Sequence, residues 1–254
     1  MRTVSFTVDL EPDCPPFLSG FRGVEHGLPK LLDLLDKLDV RATFFTTGEV
    51  AERYPESIRR LVRDGHELAC HGMTHRAFPS LDRATATWEI ERSAEILRAF
   101  APVTSFRAPY LMFPSAYLGV LERTGFVLDS SHAVYKLAYY LDRTPTRLRR
   151  IPASVTSSVL RLPRLVRRTY LAALSSPLVL FVHPWEFVDL RREKLRLDCR
   201  FRTGDVALEC VGDVLRRLKE RGGTFVTMRE LGEGRGERGE RHEGGHPEQR
   251  GNSA

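Results

Sequence analysis

Cysteine is scarce in this chain, and its placement excludes two kinds of site. The four cysteines form neither a CxxC pair nor the spacing of a secreted disulfide framework. Reduced thiols are therefore expected. Cys70 precedes His71, but adjacent residues on an extended segment point to opposite faces, which favours a buried side chain for Cys70 over a metal ligand.

Long apolar runs are also missing. The opening, MRTVSFTVDLEPD, reaches charged residues before an apolar run of signal-peptide length. No stretch approaches the roughly 18 apolar residues that a membrane span needs. Hydrophobic residues at 42% and charged residues at 28% are near globular averages. We expect a cytoplasmic protein with one α/β domain over residues 1–231.

The last segment, 232–254, lacks apolar residues that could pack. This composition predicts a disordered polar tail. It contains a histidine pair, His242 and His246, but a mobile Gly-rich setting favours solvated side chains over a metal site.

Charge is concentrated in one internal segment. Eight arginines lie among apolar residues between Arg143 and Arg168, in a chain of formal net charge +6. This pattern predicts a solvated, irregular connection over the sheet. The alternative is a surface for an anionic or lipid-phosphate substrate, with peripheral membrane contact.

Hydrophobic periodicity predicts alternating strands and helices. Strands are expected at TVSFTVDL, RATFFTTG, HELACH, SFRAP, FVLDSS, SPLVLFVHP and TFVTM. Helices are expected at GLPKLLDLLDKLDV, at 55–64, after an N-cap at Ser80, at SAYLGVLERTG and at DVALECVGDVLRRLKERGG. This order implies a parallel sheet with right-handed crossovers, open or closed into a barrel. Such folds place their sites at the C-terminal ends of the strands.

Acidic and histidine side chains follow two of these strands. Asp9, Glu11 and Asp13 lie in VDLEPD, where they repel one another unless a cation or solvent offsets them. Taken alone, the three acids are explained better by a solvated turn. His71 and His75 in GHELACHGMTH are four residues apart, which lets both imidazoles reach one ion at about 2.0–2.1 Å.

Gly72 lets the backbone turn sharply between the two histidines. His66, at the start of the same strand, is interpreted as structural.

Three further segments carry candidate residues. In FRAPY, Arg107 is able to hold a carboxylate and the backbone N–H of Tyr110 to face an oxyanion, although a structural salt bridge explains Arg107 in isolation. Asp129 in LDSS suits turn capping at least as well as a site. His183 in FVHPWEF leaves an apolar strand, where a hydrogen-bonded core histidine is the commoner finding.

Together these segments resemble the polysaccharide deacetylase, or NodB-homology, family. TVDLEPD resembles its first motif in a divergent branch, and GLPKLLDLLDKLDVRATFFTTG resembles the stretch that follows. GHELACHGMTH, FRAPY and HPWEF are similar to later motifs, in the family's order. The resemblance extends over about residues 4–230. It implies a distorted (β/α) barrel, often with seven strands.

The resemblance also implies metal-assisted hydrolysis. Zinc or a similar divalent ion would be bound by His71, His75 and one carboxylate. The usual first motif has two adjacent aspartates, but Leu10 follows Asp9 here. The third ligand is therefore Glu11, which lies on the same side of a strand end as Asp9, or else Asp13.

The resemblance further assigns roles in catalysis. Asp9 would be the general base, oriented by Arg107. The metal and the Tyr110 N–H would stabilise the oxyanion. His183 would protonate the leaving amine, with Asp129 helping to position it. The usual tryptophan after this acid is absent, since Ser130 follows Asp129.

The expected function is removal of an N-acyl group, in particular acetyl, from a sugar or sugar conjugate. A nucleotide-linked or lipid-linked sugar suits a cytoplasmic enzyme better than a cell-wall polymer. Hydrolysis of a non-sugar amide, such as a cyclic ureide or formamide, is an alternative, because substrate choice depends on loops. A non-catalytic carbohydrate- or metal-binding protein is another. No motif indicates nucleic-acid binding.

Overall fold

The computed structural model of the protein describes residues 2–234. The predicted tail, with His242 and His246, lies outside the described residues from residue 235 onward. The last helix runs through Gly232 and so crosses the expected domain boundary. None of the helices in the described part of the chain is long and apolar enough to cross a membrane.

The strands form a single sheet. Their bounds are β1 Thr3–Leu10, β2 Thr43–Thr46, β3 Glu67–Cys70, β4 Ser105–Phe106, β5 Leu128–Asp129, β6 Arg149–Arg150, β7 Leu178–Val182 and β8 Thr224–Phe225. The order is β6-β5-β4-β3-β2-β1-β7, every pair is parallel, and β8 pairs with β1. The predicted parallel sheet is confirmed. It curls into a distorted barrel that the described strand pairs leave open between β6 and β7.

The helices cover the outside of this sheet. Their bounds are α1 Leu28–Leu38, α2 Gly48–Arg53, α3 Pro55–Arg63, α4 Arg83–Arg98, α5 Leu118–Arg123, α6 Leu137–Leu141, α7 Ser157–Leu160, α8 Arg164–Ala173, α9 Leu197–Arg200, α10 Asp205–Glu220 and α11 Met228–Gly232. In α1 the leucines at three- and four-residue spacing are the buried ones, as an amphipathic helix requires.

Strand β1 fixes the position of the site. It pairs with three strands and is buried on both faces. Phe6 and Val8 belong to the main apolar core, whereas Thr7 and Asp9 alternate with them and point to the other face. Asp9 pairs in register with Phe45 of β2 near the C-terminal edge of the sheet.

Two local predictions need correction. Helix α4 begins at Arg83, and its N-cap is Asp82, whose Oδ1 accepts the Thr85 N–H at 2.7 Å, rather than Ser80. Phe78 packs in the core, and residues 78–80 form a separate 3-10 turn. The strand predicted at TFVTM is only β8, because Thr227 caps helix α11.

The arginine-rich segment is more ordered than predicted. Instead of an irregular connection, residues 143–168 contain β6, α7 and the start of α8. Arg161 and Arg167 are buried and hydrogen-bonded to backbone carbonyls. Arg150 contacts Asp129 and Asp142. These three guanidiniums hold the fold together, and the outward-facing arginines of α8 are left to the solvent.

Candidate active site and metal centre

Three predicted metal ligands converge at the C-terminal edge of the sheet. Oε2 of Glu11 lies 3.2 Å from Nε2 of His71 and 2.6 Å from Nε2 of His75. One ligand atom from each residue lies within 4.8 Å of the others, and all three residues are buried. Two imidazole nitrogens and one carboxylate oxygen form a donor set that could hold a divalent metal ion.

The surroundings of these donors fit a metal. Nδ1 of His71 lies 2.7 Å from the carbonyl oxygen of Arg107. Because a carbonyl only accepts, Nδ1 donates and Nε2 keeps its lone pair for an ion. Nδ1 of His75 is buried without a hydrogen-bond partner among the described residues. Trp185 Nε1 donates to the other oxygen of Glu11 at 3.2 Å.

The loop that carries His75 is held in an unusual conformation. Gly72 has φ +79° and His75 has φ +57°, a region that side chains with a Cβ rarely adopt. The buried carboxylate of Glu89 on α4 accepts the N–H groups of Met73 at 2.7 Å and Thr74 at 2.9 Å. Helix α4 therefore clamps this loop and stabilises the strained turn.

Asp9 and Arg107 form a buried ion pair. Nη1 of Arg107 donates to Oδ1 of Asp9 at 2.6 Å and to Oγ1 of Thr7 at 2.8 Å. Nη2 donates to Oγ of Ser130 at 3.0 Å, and the guanidinium lies over the Phe45 ring. One oxygen of Asp9 is therefore fixed, and Oδ2 faces the cavity group His183 at 4.0 Å.

Asp129 does not contact His183, contrary to its predicted role. Its Oδ1 accepts the Ser131 N–H at 2.9 Å, and its Oδ2 pairs with Arg150 Nε at 3.4 Å. Ser130 in the same turn holds Arg107. Asp129 thus bears on the site only indirectly, by ordering the turn that supports Arg107.

A different carboxylate positions His183. Oε1 of Glu186 accepts from Nδ1 of His183 at 2.8 Å and from its backbone N–H at 3.0 Å. The other oxygen of Glu186 forms an ion pair with Arg161 Nε at 2.9 Å, and both groups are about 1% exposed. The indole of Trp185 stacks on the imidazole at 4.7 Å. His183 Nε2 then points at the cavity, 3.9 Å from Glu11 Oε1.

The electrostatics keep these groups charged despite burial. Burial alone would raise the pKa of Glu11, but the neighbouring imidazoles of His75 and His183 hold that pKa well below its usual range. Burial would lower the pKa of His183, but Glu11, Glu186 and Asp9 outweigh it and raise the pKa of His183 to about 9. In Glu186, Arg161 and His183 overcome burial and lower the pKa.

Asp13, the alternative third ligand, is committed elsewhere. Its two oxygens accept the backbone N–H groups of Gly23 at 2.8 Å and Arg22 at 2.9 Å. These bonds anchor the loop after β1 and turn the carboxylate away from the two histidines. The geometry favours Glu11 as the carboxylate of the donor set.

A cavity of about 290 Å³ joins these groups. Asp9, Glu11, His71, His75 and His183 line it from the barrel side. The edge of the Tyr110 ring packs on His75 at 4.8 Å, and Tyr110 has φ +60°. The predicted site residues other than Asp129 and Asp13 therefore meet at one cavity or directly support it.

The sequence patterns missed several supporting residues. Arg161 and Glu89 act through contacts between distant segments, which local spacing does not reveal. Glu186 alone had a signal, because it is the acid of HPWEF, three residues after His183. His66, interpreted as structural, accepts the Ala42 N–H at 3.2 Å on Nδ1 and stays outside the site.

A larger cavity of about 720 Å³ lies between α8 and α10. Its lining includes Arg168, Arg217 and Arg221 but none of the site residues. Repulsion from Arg217, together with burial and the neighbouring cations, lowers the pKa of Arg168. This cavity is a basic surface feature separate from the candidate active site.

Comparison with known proteins agrees with this geometry. Residues 2–128, half of the 254-residue chain, match the polysaccharide deacetylase family model. The chain belongs to this family.

Characterised relatives extend beyond the matched region. The chain is 34% identical over 127 residues to a chitooligosaccharide deacetylase from Bradyrhizobium sp. (strain ANU 289), covering 49% of this chain and 53% of that protein. It is 35% identical over 112 residues to a chitin deacetylase from Colletotrichum lindemuthianum, covering 41% and 45%. The chain spans about half the length of the curated relatives it matches.

Solved structures share the fold. A protein of the polysaccharide deacetylase type from Mycobacterium smegmatis has a TM-score of 0.67 at 23% identity, with 97% of this chain and 94% of that chain covered. A peptidoglycan deacetylase from Bacillus subtilis has a TM-score of 0.61 at 16% identity, with 93% of each chain covered. The expected barrel of the NodB-homology type is confirmed.

Proposed function

We propose that this protein is a metal-dependent hydrolase that removes an N-acyl group, in particular acetyl, from a sugar or sugar conjugate. One observation carries the proposal. A buried donor set of Glu11, His71 and His75 shares one cavity with a carboxylate held by Arg107 and an imidazole held by Glu186. Amide hydrolysis needs a base on one side of the acyl carbon and an acid at the leaving nitrogen.

We assign the donor set to a divalent ion, with zinc as the best match to two imidazoles and one carboxylate. When bound, such an ion supplies a Lewis acid beside the acyl oxygen and favours deprotonation of water. The support is the convergence of three buried donor atoms and the Nδ1–H of His71, which the Arg107 carbonyl oxygen accepts so that Nε2 faces the donor set.

Asp9 acts as the base. Arg107 holds Oδ1, so that Oδ2 is the oxygen that takes a proton from the attacking water. The water oxygen bonds to the acyl carbon as that proton moves to Asp9. We assign the Tyr110 backbone N–H as the hydrogen-bond donor to the acyl oxygen, which becomes negative in this step.

His183 acts as the acid. Its Nδ1–H donates to Glu186. Nε2 is therefore the nitrogen that delivers a proton into the cavity. As the carbon–nitrogen bond breaks, this proton goes to the leaving amine. Products are the free amine and a carboxylic acid.

The substrate class is supported by the relatives, which are deacetylases of chitooligosaccharides and chitin.

We also propose a cytoplasmic location and membrane contact through residues 143–168. Arg164 and Arg168, on the solvent side of α8, are the arginines to replace in a vesicle-binding test, because Arg150, Arg161 and Arg167 are structural.

The test combines metal content with acetate release. Protein purified without chelator is compared with a His71→Ala/His75→Ala variant and with His26→Ala, a control at an exposed histidine. We expect about one equivalent of metal and acetate release from N-acetylated amino sugars in wild type and control. Both should be lost in the double variant.

Two other outcomes would contradict the proposal. Bound metal without acetate release from any acetylated sugar would reject the sugar substrate and favour formamides or cyclic ureides. No stoichiometric metal under zinc, cobalt or manganese supplementation would overturn the mechanism in favour of a carbohydrate-binding protein.

A further inference from the structure

We propose that the acylated sugar carries a lipid chain through a phosphate, and that the chain lies on an apolar rim around the cavity mouth. This inference rests on the proposed function. The apolar rim consists of Phe17, Met112, Tyr135, Leu137 and Leu197. Phe17 and Tyr135 line the cavity, and the other three follow lining residues directly in sequence.

The rim side chains are exposed to an unusual degree. Leu137 is 71% exposed and Leu197 is 69% exposed. Helix α6, which begins with Leu137, buries none of its residues and also exposes Tyr140 and Leu141. Seven of the thirteen large apolar side chains that residues 2–234 expose lie on these segments. Scattered single apolar residues are normal, but a group at a cavity mouth marks a binding surface.

The cavity itself accommodates only part of such a substrate. Its volume of about 290 Å³ is at the small end for ligand sites, which run from roughly 300 to 1,000 Å³. A single acylated sugar would fill it. The remainder of the substrate must then lie on the mouth, where the rim offers apolar contacts.

The segment that forms one wall of the mouth carries an excess of positive charge. Residues 189–202, which contribute Arg196 and Cys199 to the lining, contain six arginines and lysines against three acids. Arg192, Lys194 and Arg200 have no carboxylate within 4.0 Å among the described residues. A segment that exposes both cations and Leu197 matches an anionic group joined to a hydrocarbon chain.

This wall is fixed in place. Arg161 donates to the carbonyl oxygens of Asp198 at 2.7 Å and Phe201 at 2.5 Å. Leu195 packs with Cys14 and Trp185 beneath it. The exposed Leu197 therefore belongs to an anchored segment, and its exposure is a property of the folded mouth.

The first experiment measures kcat/KM on alkyl glycosides of N-acetylglucosamine, from methyl to dodecyl, below their critical micelle concentrations. Each methylene that reaches the rim should raise kcat/KM by about two- to fourfold until the rim is covered. A Leu137→Asp/Leu197→Asp variant should keep the rate on the methyl glycoside and lose this dependence. Leu165→Asp/Val166→Asp on α8, also exposed and not among the lining residues, is the matched control and should behave as wild type.

The second experiment tests the phosphate. An N-acetylglucosaminyl diphosphate bearing a farnesyl chain should be hydrolysed with a higher kcat/KM than the dodecyl glycoside. Arg192→Gln/Lys194→Gln should remove that advantage. Inhibition by inorganic phosphate, with a kcat/KM that does not depend on chain length, would indicate a soluble phosphorylated sugar. This result would overturn the proposal of a lipid chain.

The outcomes separate the two proposals. Equal kcat/KM for methyl and dodecyl glycosides overturns the rim proposal and leaves the deacetylase function standing. If no glycoside is hydrolysed, the proposed function fails, and calorimetric binding decides the rim: tighter dodecyl binding supports it and equal binding overturns it. A dimer that the Leu137→Asp/Leu197→Asp change dissociates would show that the rim binds a second copy instead.

Discussion

Breaking the ion pair between Glu186 and Arg161 tests most directly how His183 is held. We consider Glu186→Gln, which keeps the shape of the side chain and removes its charge. The glutamine oxygen is still able to accept from His183 Nδ1, but Arg161 loses the only anion that lies within 4.0 Å of it among the described residues.

The expected loss of stability is large, because both side chains are about 1% exposed at a separation of 2.9 Å. Removing one member of a buried pair strands a charge and typically costs about 3–5 kcal/mol. Arg161 keeps its carbonyl partners, which places the expected loss toward the lower value, about 3 kcal/mol. An Arg161→Met/Glu186→Gln variant removes both charges and should recover part of this loss.

In the double variant we expect the catalytic rate to stay low although the stability partly recovers. A positioned acid contributes about 10²–10⁴-fold, and an imidazole without its anionic partner loses much of that. We expect kcat for an N-acetyl sugar to fall about 10²-fold or more in both variants. Hydrolysis of an aryl acetate, whose leaving group needs no proton, should fall much less.

Denaturant unfolding and the two kinetic assays check this prediction. Glu193→Gln is the control, since it removes a carboxylate from the partly exposed pair with Arg22 on the same wall. Wild-type stability and turnover in Glu186→Gln would refute the reasoning. Equal losses for amide and aryl ester would show that His183 does not protonate the leaving group.

Three further outcomes are expected. Asp9→Asn should lower kcat by about 10²–10⁴-fold while the metal content, measured by mass spectrometry, stays at the wild-type value; loss of the metal would make Asp9 a ligand instead. Gly72→Ala should cost about 1–2 kcal/mol in an unfolding titration, because φ is +79° there although the nearest side-chain atom is 3.5 Å away; an unchanged midpoint would contradict the strain. Burial lowers the pKa of His66 below its usual 6.5, so the folded state binds fewer protons and stability should fall as the pH drops below about 6.5. His66→Gln should flatten this fall, and an identical pH dependence in the variant would exclude His66 as its source.

The elements that the sequence predicted correctly are those set by neighbouring residues. The alternation in β1 and the leucine spacing in α1 need only a local pattern and a core to pack against. The approach of His71 to His75 follows from four-residue spacing and a glycine between them. Asp9 and Glu11 meet the histidines because parallel strands end at one edge.

The parts that sequence reasoning missed depend on contacts between distant segments. Asp82 and Ser80 are both acceptable N-caps, and the packing of Phe78 in the core decided between them. Asp129 and Glu186 are both acids near the site, and only the folded chain shows that Glu186 reaches His183. Arg161 is the partner of Glu186 across 25 residues of sequence, a pairing that no local pattern encodes.

Arg107 contacts both a predicted metal ligand and the predicted base, one through its backbone and the other through its side chain. Its carbonyl oxygen orients His71 at 2.7 Å, and its guanidinium holds Asp9 at 2.6 Å. One residue therefore sets the orientation of both a predicted metal ligand and the predicted base. Asp9 and His71, which come from distant parts of the chain, are thus coupled through one residue, whereas His183 is held separately by Glu186.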